Sequence, residues 1–152
     1  MMAPATDLRT WTLTISAPAP MFSENSRHHW AKTSPAVREW RAASFLYATS
    51  AKLPRGLARV RVDVLLHFTT AGRRDRYNYH RYVAKPIVDG LASPRTVTTK
   101  KGVRVEPGYG LVPDDTPQFL DGPLIEIGPK VDRKTYPLGL AVVTITELEV
   151  AS

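Results

Sequence analysis

Between Arg59 and Thr70 the side chains alternate in a way that few folds accommodate. Val60, Val62, Val64, Leu66 and Phe68 fall on one side of an extended chain, and Arg59, Arg61, Asp63 and His67 on the other. A period of two is the period of a β-strand, not of a helix. The segment therefore predicts a strand near the centre of a sheet.

The rest of the chain is read around that strand. Thr10–Ser16 alternates threonine with Trp11, Leu13 and Ile15 and predicts a first, half-buried strand, after a disordered start at residues 1–8. Residues 17–32 carry Pro18, Pro20, Ser23, Asn25 and Ser26 before Arg27-His28-His29-Trp30, a composition suited to a loop. Ser34-Pro35 is a helix-start signal, serine as cap and proline at the first helical position. A helix is predicted from there to about Lys52, with Val37, Trp40, Ala43 and Tyr47 on its apolar stripe and Arg38, Glu39 and Arg41 outside it. Trp11 and Trp40 are read as core aromatics.

Val83, Ile87 and Leu91, four apart, predict a second helix over Asn78–Leu91, with Pro86 as a kink or as the true start. Thr96, Val97 and Thr98 face Val103 and Val105 across Lys100-Lys101-Gly102, the pattern of an exposed hairpin within residues 92–110. Leu124–Ile127 and Leu138–Thr146 complete the strands. This order predicts one α+β domain over residues 1–152, a mixed and mainly antiparallel sheet with two helices packed on one face.

Composition narrows the partners. Twenty-one Lys and Arg against 14 Asp and Glu give a formal charge of +7, which suits a polyanion without requiring one. Cysteine is absent, which excludes disulfides and thiolate chemistry in the chain and fits a reducing cytoplasm. No stretch has the pattern of a signal peptide or a membrane span, so a cytoplasmic location without membrane contact is expected.

Five carboxylates fall between residues 75 and 115: Asp75, Asp89, Glu106, Asp114 and Asp115. Mg²⁺ takes hard oxygen ligands and needs only one or two carboxylates, the rest coming from water and phosphate oxygens. Such an ion can drive phosphodiester hydrolysis without a side-chain nucleophile. Asp114-Asp115 lies between Pro113 and Pro117, which is good turn chemistry, and composition alone favours that turn over a cation site. Asn78, Tyr82, Lys85 and Asp89 share a helical stripe distinct from the apolar one; Lys85 could meet a phosphate there, or simply pair with Asp89. His28, His29 and His80 have no compact zinc spacing, and His28, His29 and Trp30 suit phosphate contact or base stacking from a loop.

The run Arg73-Arg74-Asp75-Arg76-Tyr77-Asn78, then Lys85 and Asp89-Gly90-Leu91, then Leu111-Val112-Pro113-Asp114-Asp115, resembles the RusA family of Holliday-junction resolvases. The Pro20–Trp30 segment and the closing Val142–Thr146 strand resemble that family's entry loop and last strand, so the resemblance spans about residues 10–147. It implies a Mg²⁺-dependent homodimer, with Mn²⁺ as a substitute ion, that nicks branched DNA. Asp75 and Asp115 would bind metal, Lys85 would be the catalytic lysine, Asn78 the turn asparagine and Asp114 a lesser partner. Three departures stand out. Tyr77 takes the place of a second turn aspartate, for which Asp89 or Asp114 would substitute; Asn78 and Lys85 lie further apart than in short members; and residues 92–110 are an insertion. Arg27, His29, Arg73, Arg74, Asn78, Arg95, Lys100 and Lys101 are the expected DNA contacts. The competing readings are a non-catalytic junction-binding protein on the same scaffold, and a general nucleic-acid-binding module with a coincidental acid cluster.

Overall fold

The alternating segment forms β2 (Val60–His67), with Val60, Val62, Val64 and Leu66 all buried in this computed structural model, which describes residues 8–149. It is an interior strand of a four-stranded sheet in the order β1-β6-β2-β5, built with β1 (Thr10–Ser16), β5 (Leu120–Ile127) and β6 (Leu140–Glu147). β6 runs antiparallel to both β1 and β2, while β2 and β5 are parallel. The expected start at residues 1–8 lies outside the described residues except for the exposed Leu8.

One face of the sheet supplies Leu13, Ile15, Val62, Val64, Val143 and Ile145 to a core that also holds Trp40, Val83, Ile87 and Leu91 from the helical segments. The chain is a single α+β domain in which one sheet face and two α-helices share a core. No helix among the described residues is long and apolar enough to cross a membrane.

The first helix, α1, spans Trp30–Ser50, four residues earlier than the Ser34-Pro35 signal predicts. His29 caps it instead, its Nδ1 accepting the Ala31 N–H at 3.1 Å. Pro35 lies inside the helix, and the partner its missing N–H deprives is the Ala31 carbonyl, on an exposed residue. Solvent near the helix start makes that loss tolerable. Arg41 is a second correction: it is 8% exposed and faces inward beside Trp40, not outward with Arg38 and Glu39.

The second helical stretch changes pitch twice. A 3₁₀ turn at Arg76–Tyr79 leads into a π-turn at His80–Ala84, and then α2 runs over Lys85–Leu91. The wide turn closes through the Lys85 N–H and the His80 carbonyl, immediately before Pro86, which has no N–H to donate. Pro86 therefore marks a change of helix type, with the α-helical part beginning one residue before it.

β3 (Arg95–Thr99) and β4 (Gly102–Glu106) form a separate two-stranded hairpin, pairing Thr96 with Val105 and Thr98 with Val103. β5 starts at Leu120, four residues before the expected strand, because Gly122-Pro123 sits inside it at a register shift against β2. An edge strand tolerates proline because one side of its ladder is unpaired. β6 begins just after Gly139, whose φ of +100° ends the preceding turn.

Candidate functional site

The return path of the β3–β4 hairpin builds the acid cluster. After β4 the chain runs back beside the end of α2, with Tyr109 N–H donating to Gly90 O at 2.9 Å and Leu111 N–H to Leu91 O at 3.0 Å. Its other side is held by Leu57 N–H donating to Leu111 O at 2.8 Å, and Ser93 Oγ donates to Val112 O at 2.7 Å. Leu111 and Val112 are fully buried, so the next residues, Pro113-Asp114-Asp115, emerge at a fixed place beside the helix.

Lys85 and Asp89 are one turn apart on α2, with Nζ donating to Asp89 Oδ1 at 2.9 Å. The same ammonium donates to Asp115 Oδ2. Asp114 folds back so that its Oδ1 accepts the Asp115 N–H at 2.8 Å. Asp89, Asp114 and Asp115 line one cavity of about 260 Å³, together with Arg41, Ser93 and Arg95. Lys85 and Asp115, 30 positions apart in sequence, thus meet as an ion pair.

Partial burial works against the Lys85 charge, but hydrogen bonds to Asp115 and Asp89 and their negative charges outweigh it, so its pKa is raised. The Lys85 hydrogen bond holds the Asp115 carboxyl below the usual range, against the opposing effect of burial. The signs predict a pH dependence. Asp115 contributes stability that is present above the ordinary aspartate value and lost as pH falls through its depressed folded value; Lys85 contributes stability present below the ordinary lysine value and lost as pH rises through its raised one. Urea midpoints of the native chain should therefore fall more between about pH 4 and pH 2 than those of Asp115→Asn. Parallel curves for the two proteins would contradict the assignment.

Asp75 lies outside this group of hydrogen bonds. It caps the 3₁₀ turn, its Oδ1 accepting the Tyr77 N–H at 3.0 Å. Asn78 ties that turn to the entry loop, its N–H donating to Asp75 O at 3.1 Å and its carbonyl accepting the Glu24 N–H at 2.8 Å. Glu106 is engaged elsewhere, with Arg41 Nη1 at 2.6 Å and Arg95 Nη2 at 3.6 Å. Among the described residues no three carboxylates or histidines form a ready metal cage.

The expected DNA contacts divide by engagement. Arg27, Arg73, Lys100 and Lys101 are exposed. Arg74 is engaged within the chain, its guanidinium 3.9 Å from the Phe68 ring centre and donating to Thr70 O and Oγ1. Arg95 leans on Glu106, and His29 is occupied as the α1 cap. The Arg41–Glu106 pair is the feature that sequence reasoning misses; only the position of Arg41 next to Trp40 on a core helix hints that its stem is buried. No protein-family model matches the chain, and no curated protein matches it.

Proposed function

We propose that this protein is a Mg²⁺-dependent endonuclease that nicks branched DNA such as Holliday junctions, on a RusA-like scaffold acting as a cytoplasmic homodimer. The observation that carries the reading is that Asp89, Asp114 and Asp115 line one polar cavity of a strongly basic chain, with Lys85 donating to both Asp89 and Asp115. The donor set fits the ion: carboxylate oxygens are the hard ligands Mg²⁺ prefers, and two of them suffice.

Asp115 and Asp89 would hold the ion, with Asp114 assisting, and Mn²⁺ would serve in its place. When bound, the ion supplies Lewis-acid polarisation of the phosphodiester. Lys85, released from at least one carboxylate, places its ammonium against the scissile phosphate and neutralises charge that builds there as water attacks and a P–O bond breaks. Asp75 has its Oδ2 unengaged among the described hydrogen bonds and is the acid nearest in sequence to the exposed Arg73, where it would meet the same backbone. Arg27, Arg95, Lys100 and Lys101 would grip flanking phosphates. A twofold pair of such sites suits a four-way junction, which needs two opposed nicks.

A non-catalytic junction-binding protein is the second reading. Tyr77 is exposed where the resemblance expects an acid, and Lys85 pairs with both Asp89 and Asp115. Purified protein incubated with a four-way junction, linear duplex and single strand, with and without Mg²⁺, separates the two. Paired nicks in the junction alone, and only with the ion, are expected. Selective junction binding without nicks would favour the second reading, and equal binding to all three substrates would remove both.

A further inference from the structure

A groove of about 620 Å³ opens between the first half of α1, the π-turn and strand β4. Arg38, Arg81 and Arg104 line it, all exposed, and none of them is in an ion pair among the described residues. Glu106 is the carboxylate there, and Arg41 already balances it at 2.6 Å. Trp30 and Tyr82 add two aromatic faces. Trp30 is 72% exposed, whereas Trp40 is fully buried and Trp11 is packed against the core.

An indole left in water beside three unmatched guanidinium groups is complementary to a ligand that carries both anionic charge and flat apolar rings. A duplex hides its base faces in the stack; an acidic peptide or a lipid headgroup has the charge without the rings. We propose that this groove binds single-stranded DNA, with backbone phosphates on Arg38, Arg81 and Arg104 and an unpaired base stacked on Trp30.

Position points the same way. Arg41 lines both this groove and the cavity of Asp89, Asp114 and Asp115, so a strand lying in the groove leads to the acid cluster. The β3–β4 hairpin supplies Arg104 and Val105, and so one wall. The inference deepens the nuclease reading, on which it rests only for its meaning: the groove would take a strand that unpairs at a branch point. Binding itself stands apart from cleavage.

The test is fluorescence anisotropy of a short labelled oligothymidylate with the full chain in EDTA, where no metal-dependent nicking contributes. Trp30→Ala, at an exposed first helical position, and the double variant Arg38→Ala/Arg104→Ala should each weaken binding about 10-fold. Arg133→Ala/Lys134→Ala, which removes the same charge from the turn between β5 and β6, should change it by less than about 2-fold. An abasic oligomer should bind the native chain about as weakly as the intact oligomer binds Trp30→Ala. Equal losses in the two double variants overturn the proposal, as does undiminished affinity for the abasic oligomer, for blunt duplex or for polyglutamate. Preference for oligouridylate over the DNA oligomer overturns it too. Junction nicking, scored separately, reports on the nuclease reading: oligomer binding without nicks leaves the groove standing, and nicks with unaltered binding by Trp30→Ala sink the groove alone.

Discussion

Lys85→Met is expected to lower junction nicking about 100-fold, the scale of losing one preorganised donor to a developing charge, while tightening Mg²⁺ binding. The two effects have opposite signs because one ammonium does two things. In the free protein Lys85 is the counter-ion of Asp89 and Asp115, so an entering divalent cation must displace it from at least one of them. Methionine keeps the length and apolar stem of the side chain but not the charge, leaving two neighbouring carboxylates to attract a cation. Calorimetric titration with Mg²⁺ and single-turnover nicking measure the two effects separately. Weaker metal binding in Lys85→Met would show that the lysine orders the acids and does not compete for them, and unchanged nicking would remove it from the reaction.

Gly90→Ala is expected to cost about 3 kcal/mol of stability, at the upper end for overpacking. Gly90 lets α2 pass close to α1: a Cβ there would lie far inside contact distance of Ser44 Oγ and of the Arg41 backbone oxygen. A side chain can rotate away, but a backbone carbonyl cannot unless the helices separate. Ser44 is fully buried and donates to the Ile87 carbonyl at 2.7 Å, so its rotation would also break a buried hydrogen bond. Because Asp89 is the preceding residue, separating the helices would also move a carboxylate of the acid cluster. Adding Ser44→Ala should restore only part of the loss, since the Arg41 carbonyl stays in place, and the pair should be non-additive. Urea denaturation of the single and double variants gives the numbers; a Gly90→Ala protein as stable as the native chain would mean the helices part easily.

Local period and turn chemistry are the features of this fold that its residues spell out. β1 and β2 are marked by alternation, and the hairpin turn by Lys100-Lys101-Gly102, because those signals sit within a few residues. Ser34-Pro35 misplaces the start of α1 because it has the composition of a cap, while the cap in use is the ring nitrogen of His29. Gly122-Pro123 cuts β5 short because the pair reads as a turn unless it is known that the strand lies at the edge of the sheet. Edge position is a property of the whole sheet and has no local mark.

The acid cluster is legible in part for the same reason. Lys85 and Asp89 are neighbours by helical spacing, but Asp115 reaches them only because the hairpin folds the chain back along α2. Asp75, which motif order groups with Asp115, instead turns to cap its own 3₁₀ segment. Arg41 shows the limit most plainly: its charge places it on the solvent side of a helical wheel, and the distant Glu106 carboxylate and Pro107 carbonyl, which accept from its guanidinium, account for its burial.

The turn at His80–Ala84 affects how this chain lines up with others. Each α-helical residue advances the wheel by about 100°, so one surplus residue in a widened turn shifts every later position by roughly that angle relative to a uniform helix. Any comparison that counts from the arginine-rich loop to the lysine on strict helical spacing would slip out of phase at residue 80 and pair Lys85 with the wrong rung. Aligning backward from Gly90, whose contact with α1 leaves no freedom to slide, avoids the error.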